Sequence, residues 1–116
     1  MKIRVYEAAN ICNIFSAVSH EQLGKIADKV TTIFIALLPH TREYNDALAV
    51  VQRDAKGKTQ QQVEKLVSAK AFEKIANKVV TVDIPTLTME EVMVIGKSVP
   101  DFKLANYNLL YPIIKN

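Results

Sequence analysis

The chain has 116 residues, 49% of them hydrophobic, and its 15 basic and 12 acidic side chains leave a formal charge of +3. That length supports one domain that buries roughly 65% of its unfolded surface and needs no metal or disulfide staple. The balance is too mild for a nucleic-acid tail, and the single cysteine, Cys12, excludes an internal disulfide framework and fits a reducing compartment. The longest apolar run, Ile33 to Leu38, is far short of the roughly 20 residues that span a bilayer. No run of signal-peptide length follows Met1 to Tyr6. The expectation is a soluble, intracellular protein without a membrane partner.

Lys2 to Tyr6 alternates, with Ile3 and Val5 on one side, and predicts a short strand. Ala8, Ile11, Ile14, Phe15 and Val18 then fall at helical spacing. A lock follows: Ser19 stands three residues before Gln22, with Val18 and Leu23 placed to staple. From there Leu23, Ile26, Ala27, Val30, Ile33, Phe34 and Leu37 form one stripe. Pro39 should break a helix, yet Thr41, Tyr44, Leu48 and Val51 keep the phase of that stripe. The reading is one long helix from about His20 to Arg53, kinked at Pro39, with Pro39 on the solvent side. A break into two helices at Leu38–Pro39 is the alternative.

Asp54 to Lys58 ends this element. Val63, Leu66 and Val67 share one face and Ala71, Phe72, Ile75, Ala76 and Val79 another, so one straight helix cannot bury both sets. Residues 54–68 are read as a flexible, Gln-rich loop. Ser68 then caps a helix from Ala69 to about Asn77. Val80, Val82 and Ile84 alternate as a second strand that pairs with the first. Thr88 and Glu91 repeat the capping box, stapled by Leu87 and Val92, and open a helix that Gly96 stops. The tail adds one or two helical turns before Pro112. The fold class expected is α+β and mostly α: a single domain over 1–116, with a long kinked helix, shorter helices and a small two-stranded sheet.

Little in this chain points to catalysis. His20 and His40 are the only histidines and sit about 30 Å apart on the long helix, too far to share a metal. Ser19 and Ser68 serve as caps, and no serine or cysteine has a positioned base beside it. Glycines 24, 57 and 96 are scattered and form no phosphate loop. No catalytic residue, metal site or cofactor is expected.

Two surface patterns remain. Lys70, Lys74 and Lys78 recur every four residues opposite Phe72 and Ile75, with Lys2 and Arg4 on the neighbouring strand. This set is a candidate anion site for a nucleotide or nucleic acid, or else a solvated face. In the tail, Phe102, Tyr107, Leu110 and Tyr111 form a candidate interface, or else close a small core.

The opening Met1-Lys2-Ile3 with Glu7-Ala8-Ala9-Asn10-Ile11, the long helix, Phe72-Glu73-Lys74-Ile75 leading into Val79 to Leu87, and the closing Leu110-Tyr111-Pro112-Ile113-Ile114 resemble small phage-encoded proteins of unknown function. The resemblance implies a viral origin, with the protein in the host cytoplasm or the virion, and carries no catalytic residues. The expected function is that of a non-enzymatic accessory protein. It would bind protein, itself or a host target, as a virion or assembly component or as an inhibitor. The alternative is an oligomeric anion-binding protein that sequesters a nucleotide or contacts nucleic acid through the lysines.

Overall fold

A computed structural model describes residues 1–18, 20–99 and 102–114, with only the backbone described at His20 and Leu104. The Ser19 cap therefore lies outside the described residues. The architecture is α+β and mostly α, as the periodicities predict. Strands β1 (Lys2–Arg4) and β2 (Val79–Thr81) pair antiparallel, with Ile3 opposite Val80. Both are shorter than alternation predicts. Val5 already belongs to helix α1 (Val5–Ser16), because Glu7 Oε1 accepts the backbone N–H of Arg4 at 2.9 Å and opens the helix there. Helix α1 is apolar on most of its girth, with Val5, Ala8, Ala9, Ile11, Cys12, Ile14 and Phe15 buried. A helix of that kind belongs at the centre of a core.

The long helix is continuous through Pro39, but it starts later than its stripe predicts. A short α2 (His20–Leu23) ends at Gly24, whose φ of +57° is the left-handed conformation that terminates helices. One 3-10 turn (Gly24–Ile26) leads into α3 (Ala27–Ala55). Val30, Ile33, Leu37 and Thr41 are its buried positions, and Pro39 is exposed on the opposite side. At 1.5 Å per residue, α3 is about 43 Å long. It sets the long axis of a molecule measuring 47 × 30 × 22 Å.

The segment read as a loop holds α4 (Gln60–Glu64). Thr59 Oγ1 accepts the Gln62 N–H at 3.3 Å, and Gln62 Oε1 accepts the Thr59 N–H at 3.0 Å. This is a reciprocal capping box of the kind the sequence shows at Thr88 and Glu91. Helix α5 (Val67–Ala76) begins two residues ahead of the expected start, with Leu66 at its cap. Ser68 is thus inside the first turn and not its cap. Its hydroxyl is the one buried side-chain polar atom without a hydrogen-bond partner among the described residues. Phe72 of α5 packs on Tyr44 of α3 with ring centroids 5.1 Å apart.

Helix α6 (Met89–Ser98) runs through Gly96 and does not stop there. The expected box at its start is formed: Thr88 Oγ1 accepts the Glu91 N–H at 3.2 Å, and Glu91 Oε1 accepts the Thr88 N–H at 2.9 Å. Lys29 Nζ of α3 donates to the same Glu91 oxygen at 2.8 Å. The staple residues Leu87 and Val92 are fully buried. The tail forms α7 (Leu104–Leu110) and a 3-10 turn (Tyr111–Ile113). Leu87 N–H donates to the Ile113 carbonyl at 2.7 Å, and Leu87 bridges Ile114 in parallel, so the tail is tied to the start of α6.

Two expectations follow. Thr88→Ala should lower stability by about 1 kcal/mol in a denaturant titration, since it removes a cap from a helix that buries Val92 and Ile95. Thr59→Ala, at a helix with no buried residue, should leave the midpoint nearly unchanged.

The second concerns pH. Hydrogen bonds from Lys29 and from the Thr88 backbone hold the Glu91 carboxyl below its ordinary range. A carboxyl with a lowered folded pKa contributes stability that is full above its unfolded value, about 4.3, and is lost as pH falls through the folded one. Glu91→Gln keeps a box acceptor but loses the charge. Its deficit in denaturation midpoint should be full at neutral pH and shrink steadily below about pH 4.3.

Candidate functional site

The structure divides the proposed lysine row. Lys70 and Lys74 are exposed and one turn apart on α5, with the exposed Glu73 beside them. Lys78 lies beyond the helix end at Asn77, and its amine is 3.5 Å from Glu43 Oε1 of α3. Lys2 and Arg4 flank the buried Ile3 and face outward opposite Thr81 and Val79. These side chains stand on separate elements, β1, α5 and the turn after it. They do not form one row.

The tail residues separate more sharply. Leu110 is fully buried in the main core and is not available as an interface residue. Phe102 and Tyr107 are half-buried and pack edge to face, with centroids 4.6 Å apart. Tyr111 is 62% exposed. Tyr107 and Tyr111 line one wall of an open groove of about 450 Å³, completed by Met89, Met93, Asn108 and Ile114. The two methionines are one turn apart on α6 and 54% and 51% exposed. Sequence reasoning missed them. The signal was present, because Met89 and Met93 fall on the side of the capped helix that leaves Val92 and Ile95 to the core.

Gly96 sets the closeness of the two walls. A Cβ there would meet the Tyr107 hydroxyl at 2.9 Å and Phe102 Cδ1 at 3.0 Å. The residue expected to end the helix instead lets the aromatic pair lie against it. A smaller cavity of about 350 Å³ lies between α1 and α3, lined by Phe15, Ser16, Val18, Val30, Thr31 and Phe34.

Cys12 of α1 is buried, with its sulfur 3.9 Å from the Phe34 carbonyl of α3. Desolvation pushes its thiol up, against a smaller lowering by the Thr41 hydroxyl. A buried thiol held protonated is a poor nucleophile. Among the described residues, no group of three or more His, Cys, Asp or Glu could hold a metal ion. Among them, also, no helix is long and apolar enough to cross a membrane. Comparison with protein-family models, with curated proteins and with solved structures finds no match.

Alanine is a better helix former than glycine by about 1 kcal/mol. Gly96→Ala should nevertheless destabilise the protein, by about 1 kcal/mol, because overpacking forces Phe102 and Tyr107 apart. A thermal melt gives the sign. Near-ultraviolet circular dichroism should change with it as the aromatic pair shifts.

Proposed function

We propose that this chain is a non-enzymatic protein-binding module whose contact face is the groove between α6 and α7. The observation that carries this reading is the exposure of Met89, Met93 and Tyr111 side by side on a capped, anchored helix and the tail fastened to it. Methionine and tyrosine are enriched at protein interfaces. The unbranched thioether adapts to a partner's shape, and tyrosine supplies rigid area at low entropic cost. A phage accessory role, in a virion or against a host protein, is the setting that the sequence resemblance suggests.

The anion-binding reading has less to support it. Glu43 engages Lys78, and Glu73 stands beside Lys70 and Lys74.

Native mass spectrometry of protein purified from its own source tests the reading. The unmodified chain should carry a bound protein, and Met93→Asp/Tyr111→Asp should lose it with an unchanged far-ultraviolet spectrum. A bare monomer would overturn the proposal. So would a monomer retained on heparin at low salt and released by Lys70→Glu/Lys74→Glu.

A further inference from the structure

The face that carries the groove has a charge pattern of its own. On α6, Met89, Met93 and Lys97 succeed one another at four-residue spacing, so Lys97 continues the methionine row. Glu90 and Lys97 are seven residues apart, which places them on one flank of that row about 10 Å apart along the axis. Both are exposed, and neither has an ion-pair partner among the described residues. Glu91, by contrast, is turned away to Lys29. The helix thus presents an apolar centre with an acid at its N-terminal end and a base at its C-terminal end.

Such a face is complementary to itself when reversed. We propose that the groove's occupant is a second copy of this chain, seated by antiparallel pairing of α6 about a two-fold axis, with Glu90 of each copy meeting the partner's Lys97. This rests on the protein-binding reading above and names its partner. A two-fold interface uses the same patch on both subunits, so each side must carry both halves of the pattern, as α6 does. The dyad falls between Met93 and Val94. Met93 then packs on its own copy, and Met89 lies over the alkyl stem of the partner's Lys97. Tyr107 and Tyr111 close the side of the apolar centre. Parallel pairing would set Glu90 against Glu90 and Lys97 against Lys97. The charges therefore choose the orientation, and the methionines and tyrosines supply the contact. The contact is centred on one ten-residue helix, so the dimer should be concentration-dependent.

Sedimentation velocity over a concentration series decides the matter. The unmodified chain should shift from monomer to dimer. Lys97→Glu and Glu90→Lys should each weaken self-association about tenfold, since each turns both ion pairs into repulsions. Mixing those two variants should restore a dimer containing one of each, and Glu90→Lys/Lys97→Glu should dimerise as the unmodified chain does. A chain monomeric at every concentration, single variants that dimerise unimpaired, or a mixture that stays monomeric would overturn the proposal. If the chain is monomeric but still holds a different protein through a Met93→Asp-sensitive contact, the dimer is lost and the broader reading stands.

Discussion

The contact on which this fold depends is the packing of α1 against a long helix that survives its own proline. Pro39 has no N–H to donate, and its ring crowds the carbonyl four residues earlier, that of Ile35. Pro39 is exposed and Ile35 is 62% exposed, so both fall on the solvent side of α3. The lost hydrogen bond therefore lies where water can replace it. On the other side Val30, Ile33, Leu37 and Thr41 meet α1 without interruption. Thr41 donates its hydroxyl to the Leu37 carbonyl at 3.1 Å, with the Ala8 carbonyl 3.4 Å away. The one polar residue in the stripe is thus satisfied at the point where the two helices touch.

That helix also makes the molecule uneven. Past Thr41, α3 has no fully buried position: Tyr44, Leu48 and Val51 are half-covered, with α5 packed along them. The opposite end gathers the rest. There α6 is capped by Thr88, stapled by Leu87 and Val92, and held to α3 by Lys29 and Glu91, while the tail is bonded to Leu87. The exposed methionines thus stand on a capped and anchored element. An apolar patch on a frayed helix would be poor ground for recognition. On a fixed one its shape is preorganised, which lowers the cost of binding.

Several elements were legible because local chemistry and tertiary packing agree. The phase of Thr41, Tyr44, Leu48 and Val51 carried α3 through Pro39, and Thr88 with Glu91 marked the start of α6. The pairing of the strand at Ile3 with that at Val80 was equally plain, and the structure makes it antiparallel. Where the reading differed, a local conformation or a tertiary contact decided. Gly24 adopts a positive φ that no periodicity reveals, because its neighbours Leu23 and Ile26 stay in phase across the break. Gly96 looked like a helix stop, and its purpose shows only when Phe102 and Tyr107 arrive from the tail. Thr59 and Gln62 did carry a readable signature, hidden by attention to apolar phase alone. Of the groove's lining, Tyr107 and Tyr111 were singled out in the sequence and Met89 and Met93 were not, although their place on the outer side of α6 was readable. Leu110 was grouped with the tyrosines by proximity in sequence, although its position on α7 turns it into the core.

The disposition of the polar groups bears on the proposed recognition by shape. Many polar side chains of the described residues are engaged in construction. Thr41 and Ser98 donate to helix carbonyls, Thr59 and Thr88 cap, and Glu7, Gln62 and Glu91 reach back to helix starts. Cys12 of α1 is buried, and its thiol faces the Phe34 carbonyl of α3. A site for small-molecule chemistry gathers several such groups, free and convergent, in one concavity. The two concavities described above are walled by aliphatic, aromatic and thioether surface, with Ser16, Thr31 and Asn108 as polar side chains besides the tyrosines. At the groove the described residues present apolar surface, bordered on α6 by Glu90 and Lys97. Those are the ingredients of a specific contact between proteins.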